Sequence, residues 1–400
     1  MALLPVEQAL ARILDGVAPL GPETVGLREA RGRVLAEPIA ATLTQPPFDS
    51  SAMDGYAVRA ADVARVPITL PVVGESQAGK RYREPIGPGE AARIFTGAAL
   101  PEGADTVVIQ ENTERIGDTV RVTEVPAPGA NVRLRGGDFR EGETLLEGGR
   151  HLDAAGVLIA AAAGRAAVSV RRQPRVAILA TGDELVEPGT APGPDQIVSS
   201  NPYGLAALIE RHGGAPQSLG IAGDTHDALA ARIAAARGAD VLVTIGGASV
   251  GDHDLVRPAL EAAGMKLDFW KVAIRPGKPM LFGRMDGTRV LGLPGNPLSC
   301  LVSARVFLVP RIASRLGRAA EVGERTAQLA GDLPANGPRQ HYLLARLEES
   351  AEGPPRVAAL ASQDSARISG LVNADVLIVR APEAPPVRAG DSVRILPLDL

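Results

Sequence analysis

The spacing of apolar residues divides the chain into regions that differ in predicted secondary structure. Apolar residues recur at helical spacing in residues 6–14, directly after a proline, which predicts a first helix. A second short helix is expected around residues 23–30. Between residues 43 and 140 the apolar runs are short, β-type and separated by Gly and Pro turns, and residues 115–122 (RIGDTVRV) contain the Gly-Asp turn of a hairpin. We expect a small all-β domain here, inserted into a helical domain that resumes with the Ala-rich residues 154–164.

A different pattern begins at residue 174, where strands and helices alternate. Residues 175–181 (RVAILAT) form an apolar run that is typical of a strand buried on both faces. The next helix is predicted to begin with Asn201 as its N-cap and to end at Gly213-Gly214. Repeated alternation of strands with helices predicts right-handed crossovers and a mainly parallel sheet. After about residue 324 the apolar runs are again β-type and predict a small β-barrel or sandwich.

These patterns predict a multidomain chain of the α/β plus β class. We expect a mainly parallel three-layer α/β domain, a β insert in a helical linker domain, and a C-terminal β-barrel. The predicted boundaries are residues 1–42 and 141–173 for the linker domain, 43–140 for the insert, 174–323 for the α/β domain and 324–400 for the barrel.

Composition and charge narrow the classes of function. The net charge of −4 argues against bulk nucleic-acid binding, which needs a basic surface. The single cysteine, Cys300, excludes an intramolecular disulfide and a multi-cysteine zinc site, and it fits a reducing compartment. Residues 154–164 are too few to span a bilayer, and residues 1–14 lack the pattern of a signal peptide. We therefore expect a cytoplasmic protein that binds neither nucleic acid nor membrane.

Polar and glycine-rich loops follow four of the predicted strands. They are residues 181–184 (TGDE), 223–224 (GD), 246–254 (GGASVGDHD) and 294–299 (PGNPLS). Parallel strands end at the same edge of a sheet, where ligands bind in open α/β folds, so the four loops should lie side by side. Glycine-rich loops and helix N-termini offer N–H groups to a phosphate or a pterin. Glu184, Asp224 and Asp254 could converge on Mg²⁺, which prefers a few carboxylates together with waters and phosphate oxygens.

Basic residues lie close to the last of these loops. Lys271, Arg275 and Lys278 are placed among Gly- and Pro-rich turns, and the bend at Pro276-Gly277 lets them converge on a phosphate or an oxyanion. The chain has no GxGxxG after a strand, no GxxxxGK[ST] and no GxSxG. These absences argue against a Rossmann dinucleotide site, a P-loop and a hydrolase nucleophile elbow.

Five ordered motifs carry a resemblance to a known family. They are PPFDSSAMDGYAV from Pro46, ATGDEL from Ala180, TIGGASVGDHD from Thr244, WKVAIRPGKP from Trp270 and GLPGNPLS from Gly292. In this order they resemble the MoeA family of molybdopterin molybdenumtransferases, which is related to the E domain of gephyrin, over essentially the whole chain. The resemblance implies an elongated homodimer that inserts molybdate into adenylylated molybdopterin and releases AMP with the help of Mg²⁺.

The motifs and the resemblance together give a set of candidate site residues. Catalytic roles are expected for Asp54, Glu184, Asp224, Asp254, Lys271, Arg275 and Lys278. The pterin and its phosphates are expected to contact Thr96, Arg133 (or Arg135), Thr181, Gly182, Gly246, Gly247, Ser249, Gly251, Pro294, Gly295, Asn296 and Pro297. The expected ligands of Mg²⁺ are Glu184, Asp224 and Asp254. Molybdate is a dianion, and its candidate partners are Arg275, where relatives often carry Lys, and Lys278.

The loop that carries Asp54 lies far along the chain from the α/β domain. In a dimer we expect it to reach the cleft of the partner, so that each site is shared between two chains. The sequence leaves open whether Asp54 is a metal ligand or orients an attacking oxygen. It also leaves open the choice between molybdate and tungstate.

Two other functions are compatible with the same α/β domain. A molybdopterin adenylyltransferase would consume ATP and pterin without molybdate, and a non-catalytic binding or scaffold protein would bind the pterin without releasing AMP. The accompanying β domains and the SAMDGYA loop argue against the first, and the absence of gephyrin's adenylyltransferase domain leaves a receptor-scaffolding role without support. Molybdopterin adenylyltransferase and molybdoenzymes are the candidate protein partners.

Overall fold

The computed structural model describes residues 3–247, 255–320, 323–348 and 353–400. Its first element is the predicted helix, α1 (Val6–Leu14), followed by strands β1 (Pro22–Gly26) and β2 (Ile39–Ala40). The helix expected around residues 23–30 is therefore wrong. β1 pairs antiparallel with residues 167–171, and a pairing with so distant a segment cannot be read from local spacing.

The insert is all-β, as predicted. Its strands are β3 (Ser50–Ser51), β4 (Gly55–Val58), β5 (Ile68–Ser76), β6 (Ala91–Ile94), β7 (Thr106–Ile109), β8 (Thr113–Ile116), β9 (Thr119–Val122) and β10 (Val132–Arg133). Six of them form one sheet in the order β7-β4-β6-β5-β9-β8. The predicted hairpin is β8–β9, in which Ile116 faces Thr119 across the Gly117-Asp118 turn.

The chain then returns to the segment that precedes the insert. Strand β11 (Thr144–Leu146) pairs with β2, helix α2 (Ala154–Ala162) follows, and β12 (Ala167–Arg171) pairs with β1. The two flanks share one apolar core, so they form a single unit around the insert. This unit contains short strand pairs beside α2, whereas α1 packs against the core of the α/β domain.

The α/β domain has three layers around one six-stranded sheet. Its strands include β13 (Arg175–Thr181), β14 (Leu185–Val186), β15 (Ile197–Val198), β16 (Ala215–Ala222), β17 (Val241–Ile245), β18 (Lys266–Trp270), β19 (Ile274–Arg275), β20 (Leu281–Met285) and β21 (Thr288–Leu293). The sheet order is β16-β13-β17-β21-β20-β18, with the first three pairings parallel and the last two antiparallel. The predicted mainly parallel sheet is therefore confirmed.

Helices cover both faces of this sheet. They are α3 (Asn201–Arg211), α4 (His226–Ala235), α5 (Val256–Ala262), α6 (Pro297–Ser303) and α7 (Val309–Arg315). Helices α3, α6 and α7 pack on one face, and α4 and α5 on the other.

Helices α6 and α7 are joined by a π-helical turn into one apolar helix, Pro297–Arg315. Among the described residues it is the one helix whose length and apolar composition would suit a membrane span, but 78% of its apolar window is buried inside the protein, where it forms the centre of the core.

Two features of the antiparallel edge differ from the sequence prediction. The run LDFWKVAI (residues 267–274) predicts one continuous strand, but Lys271 adopts φ 75 and ends β18, after which β19 leaves the sheet. The strand β20 was not predicted. It forms a hairpin with β21 in which Met285 faces Thr288 across Asp286-Gly287, and the positive φ values of these two residues (42 and 84) are those of a type I′ turn.

The last part of the chain is a closed barrel. It contains β22 (Arg325–Leu329), β23 (Gln340–Glu348), β24 (Arg356–Ala359), α8 (Ser369–Val372), β25 (Val376–Arg380) and β26 (Ser392–Pro397). The order β23-β24-β22-β26-β25 closes because β25 also pairs with β23. Strand β19 adds to the barrel, parallel to β23, so the barrel borrows a strand from the middle of the α/β domain.

Asp240 connects three parts of the chain at the end of the sheet where the parallel strands β13 and β17 begin. Its carboxylate, 9% exposed, accepts hydrogen bonds from Arg172 before β13, from Arg315 at the end of α7 and from the backbone N–H of Arg175. Burial raises the pKa of Asp240, but the three hydrogen-bond donors outweigh it, and the net pKa lies below the ordinary value.

We expect Asp240→Asn to destabilise the α/β domain by about 2–3 kcal/mol, because two guanidinium groups lose their anion. Since the folded pKa is lowered, the carboxylate stabilises the fold above its unfolded pKa of about 3.9 and loses this effect as the pH falls through the folded value. In thermal unfolding, the difference in melting temperature between wild type and variant should be largest at pH 7 and should become smaller below about pH 4. The exposed Asp195→Asn is the control, and an equal shift in both variants would contradict the prediction.

Candidate functional site

The four predicted loops follow strands that are consecutive neighbours in the sheet. Strands β16, β13, β17 and β21 are mutually parallel, so the loops after them lie along one edge, as predicted. The loop after β17 is described as far as Gly247. Ser249, Gly251 and Asp254 lie outside the described residues, and their expected roles stay predictions.

The largest concentration of predicted residues lines a cavity of about 520 Å³, which we call the cationic cleft. Its lining residues are Gly246, Gly247, Arg275, Pro276, Gly277, Lys278, Pro279, Pro294, Gly295, Asn296, Ser299, Arg339, His341, Gln363, Asp364 and Ser365. Three of these side chains are cations, Arg275, Lys278 and Arg339, and one, Asp364, is a carboxylate. The excess of positive charge makes this cleft suited to an oxyanion.

The barrel supplies a third of this cleft, and none of its contribution was predicted. Arg339 precedes β23 and donates from Nη1 to the Ile274 carbonyl (3.4 Å), so it is held against β19 and keeps other N–H groups free for a ligand. Gln363 is hydrogen-bonded to both backbone groups of Leu344, which anchors the loop that carries Ser365. These residues had no sequence signal, because their only link to the glycine-rich loops is spatial.

Among the described residues, His341 is the histidine that lines the cleft, and it is 9% exposed. Burial, together with the charges of Arg275, Arg339 and Arg380, lowers the pKa of His341 to about 4. At neutral pH its imidazole is therefore uncharged.

A second cavity of about 440 Å³, the amphipathic cleft, adjoins the first. It is lined by Ala180, Thr181, Glu184, Leu185, Ile197, Val198, Ser199, Ser200, Asn201, Pro202, Ile245, Gly246, Gly295, Asn296, Pro297, Ala366 and Ile368. Gly246, Gly295 and Asn296 belong to both clefts. Its lining combines apolar side chains, including Ile197 and Ile368, with hydroxyl and amide groups.

Two asparagines hold the PGNP loop between the clefts. Asn201 donates from Nδ2 to the Gly295 carbonyl (2.6 Å), and Asn296 donates from Nδ2 to the Ser365 hydroxyl (3.0 Å). Asn201 was predicted as an N-cap, but its side chain makes no capping bond and α3 is preceded by Ser200. Asn296 does precede α6, but its side chain also makes no cap. Both amides are used to position a loop.

Glycines are required at two points of this edge. A side chain on Gly246, at φ 91, would place a Cβ 2.8 Å from the Thr181 carbonyl oxygen. Gly182 adopts φ 143, a backbone conformation that residues with side chains rarely adopt. These two loops therefore take turns that need glycine, and at Gly246 backbone packs directly against backbone.

Two other predicted residues do not line either cleft. Asp224 follows β16 and is exposed, and its backbone N–H donates to Asp183 (2.9 Å). Lys271 lies at the base of the β19 loop, where its Nζ is 4.3 Å from the centre of the Trp270 ring.

The insert residues form a separate cluster around Asp54. One carboxylate oxygen of Asp54 accepts hydrogen bonds from the backbone N–H and from the hydroxyl of Thr96, both at 2.8 Å. These bonds and the charge of Arg93 lower the pKa of Asp54 and keep it ionised. Thr96 thus orients Asp54. The other predicted residue of the insert, Arg133, is exposed on β10. The following Gly55 is required because a Cβ there would lie 1.9 Å from the Val108 carbonyl oxygen of β7.

Comparison with known proteins covers the whole chain. The MoeA N-terminal region (domains I and II), a probable molybdopterin binding domain and the MoeA C-terminal region (domain IV) match residues 4–164, 177–314 and 326–398. A molybdopterin molybdenumtransferase of Haemophilus influenzae is 36% identical over an alignment of 402 positions that covers 99% of each chain. The chain belongs to the MoeA family.

Further MoeA relatives agree in sequence and fold. A molybdopterin molybdenumtransferase of Nostoc sp. is 42% identical over 332 residues, 80% of this chain and 76% of the relative. The crystal structure of a molybdopterin biosynthesis MoeA protein from Pyrococcus horikoshii superposes with a TM-score of 0.82 and 32% identity over 99% of each chain. The predicted MoeA resemblance and multidomain fold are confirmed.

The MoeA assignment also bears on the alternative functions. The matched regions include the linker, the insert and the barrel in addition to the α/β domain. The relatives that share this whole architecture are named molybdenumtransferases, which argues against an adenylyltransferase and against a purely binding role.

Proposed function

We propose that this chain inserts molybdate into adenylylated molybdopterin and releases AMP. Its relatives are named molybdopterin molybdenumtransferases, so the chain is a transferase of molybdenum cofactor biosynthesis. The observation that carries the finer proposal is the pair of adjoining clefts, one cationic and one amphipathic, which share Gly246, Gly295 and Asn296. A substrate that is part oxyanion and part flat ring fits across them.

The cationic cleft is the proposed site of molybdate. Among the described lining residues, Arg275, Lys278 and Arg339 outnumber the one carboxylate, Asp364, and a dianion would neutralise this excess. Arg offers a planar fork of N–H donors to two oxygens, whereas Lys acts as a point charge. Ser365 accepts the Asn296 amide and therefore keeps its own hydroxyl proton to donate.

The amphipathic cleft is the proposed site of the pterin ring. Ile197, Val198 and Ile368 offer an apolar wall to the face of a flat heterocycle, and Ser200 and Asn201 offer polar groups to its edge. The shared residues bring the ring next to the molybdate site, as insertion into the pterin's dithiolene requires. This arrangement supports molybdopterin as the acceptor.

Mg²⁺ is proposed near the amphipathic cleft. Among the described residues no group of three His, Cys, Asp or Glu side chains is arranged to hold a metal ion. Glu184 lines the cleft, Asp224 follows the neighbouring strand, and Asp254 lies beyond the described part of its loop. Two or three carboxylates that leave room for waters and phosphate oxygens are the donor set Mg²⁺ prefers. When bound, the ion would polarise the pyrophosphate for cleavage.

We infer that the functional unit is a homodimer with shared sites, and that it acts in the cytoplasm. Support for sharing comes from Asp54, which is ionised, oriented by Thr96 and outside both clefts of its own chain. The Asp54 carboxylate is held in a fixed orientation within its own chain, and in a dimer a second chain can bring a metal ion or a substrate to it. A molybdopterin adenylyltransferase that supplies the substrate and molybdoenzymes that receive the product are the proposed partners.

The purified chain is expected to release AMP from adenylylated molybdopterin only when both Mg²⁺ and molybdate are present. Chromatography of the nucleotides measures this release. Lys278→Ala should raise the KM for molybdate about tenfold, because one cation of the cleft is lost. Lys266→Ala, which removes an exposed lysine of β18, is the matched control and should leave the KM unchanged.

Each alternative function gives a different result in this assay. An adenylyltransferase would consume ATP and show no dependence on molybdate. A binding or scaffold protein would retain the adenylylated pterin without releasing AMP. Either result would contradict the proposed function.

A further inference from the structure

His341 lies in a row of basic residues that crosses from the α/β domain into the barrel. On β23 it is aligned with Arg275 of β19 on one side and with Arg380 of β25 on the other. Aligned residues of neighbouring strands project from the same face of a sheet. Arg339 precedes β23 and lines the same cleft. A neutral ring therefore occupies the centre of a field of positive charge.

The ring of His341 has unused hydrogen-bonding capacity. Within the described ranges, no hydrogen bond is made to either of its ring nitrogens, although the side chain lines the cationic cleft. The charged groups around it are Arg275, Arg339 and Arg380, and the cleft adds Lys278 and Asp364. All the cations oppose a charge on the imidazole, and this opposition is removed when an anion balances them.

We propose that His341 binds a proton when a divalent oxyanion enters the cationic cleft, and that it delivers this proton to the oxygen that molybdate loses. This inference rests on the proposed function, because it takes molybdate as the occupant. A dianion beside the ring offsets the guanidinium charges and adds an acceptor for the imidazolium N–H. Both effects favour the charged form of His341.

The chemistry of insertion needs such a proton. When a dithiol replaces one oxygen of molybdate, two Mo–S bonds form, one Mo–O bond breaks and one water leaves, with no change in oxidation state. The two protons of that water come from the two thiols. His341 relays one of them: it gives its proton to the departing oxygen and regains one from a thiol, so that the residue is unchanged at the end.

Calorimetry of molybdate binding tests the proton uptake without any turnover. Titrations at about pH 6.5 in buffers of different ionisation enthalpy should show uptake of about one proton per molybdate, and the Kd should rise up to about tenfold per pH unit between pH 6 and 8. In His341→Gln the uptake should disappear and the Kd should no longer depend on pH. Glutamine keeps a similar shape and a hydrogen-bond donor but cannot be protonated.

A matched control is present in the same chain. His212 is half-buried, with its pKa lowered to about 4 mainly by burial, but it lines neither cleft. His212→Gln should keep the full proton uptake. His253, outside the described residues, is replaced by Gln separately, and uptake that vanishes there but persists in His341→Gln would overturn the proposal. If His341→Gln fails to fold, His341→Asn provides the same test.

The outcomes separate this inference from the function on which it rests. Molybdate binding without proton uptake in the wild-type chain overturns the role of His341 and leaves the cationic cleft intact as an oxyanion site. Absence of binding, or equal binding after loss of Arg275 and Lys278, contradicts the proposed oxyanion site itself. Loss of uptake in His341→Gln alone, with molybdate still bound, supports the inference.

Discussion

Arg339→Ala is expected to lower kcat/KM for molybdate-dependent AMP release by about a hundredfold, the usual effect of removing one preorganised donor from an anion site. Arg339 lines the cationic cleft and is fixed by its bond to the Ile274 carbonyl, so its remaining N–H groups are oriented before the anion arrives. Loss of this side chain removes both a charge and a fork of donors. Steady-state kinetics with varied molybdate measure the effect.

Two further variants show whether the effect belongs to the cleft. Arg339→Lys keeps the charge but not the planar fork, and we expect it to recover part of the activity. Arg356→Ala removes an exposed arginine of the same barrel, on β24, and should behave as wild type. Wild-type activity in Arg339→Ala would contradict a role of Arg339 in the site. A loss of activity that is accompanied by unfolding of the barrel would contradict it as well.

Asp54→Ala should reduce AMP release by about a thousandfold while leaving the melting temperature within about 3 °C of wild type. Asp54 is half-buried, and within the described residues its carboxylate accepts hydrogen bonds only from Thr96, so its removal should disturb the insert little. Asp62→Ala is the control, because Asp62 also accepts a backbone N–H on the insert, from Gly89 (2.8 Å). Equal activity of Asp54→Ala and Asp62→Ala would contradict a catalytic role of Asp54.

Mixed dimers test whether the site is shared. In a dimer of one Asp54→Ala chain and one Glu184→Ala chain, shared sites would give one site with both defects and one site with neither. Random mixing makes half of the dimers mixed, so the activity should recover to about a quarter of wild type. If each site is built by a single chain, every site carries a defect and nothing recovers. Mass spectrometry of the mixture verifies that heterodimers have formed.

The sequence predicted the parts of the site that lie at the ends of strands. Buried apolar runs mark β13 and β17, and the residues directly after them had to lie at the carboxyl edge of the sheet. The Asp-Gly pair between β20 and β21 is a typical hairpin signal, but β20 was not predicted because its apolar run is short and directly follows Gly- and Pro-rich turns. The pairing of β1 with β12 carried no local signal at all.

The residues that the barrel contributes to the cationic cleft could not be predicted by the same means. Arg339 and His341 sit in an ordinary β pattern, and nothing in their neighbourhood distinguishes them from other strand residues. Their position follows from the pairing of β19 with β23, which joins residues more than sixty positions apart. Asn201 is a similar case: its sequence context predicted a cap, but tertiary packing gave its amide a carbonyl on another loop.

Because β19 of the α/β domain pairs with the barrel, these two domains cannot be exchanged independently by recombination during evolution. Exchange or deletion of the C-terminal barrel would leave β19 without its partner strand β23. It would also remove Arg339 and His341 from the cationic cleft in a single event. The α/β domain would then lack part of its cleft. A different C-terminal domain would restore the cleft only if it provided an equivalent partner strand for β19. The two modules are thus bound to be inherited together.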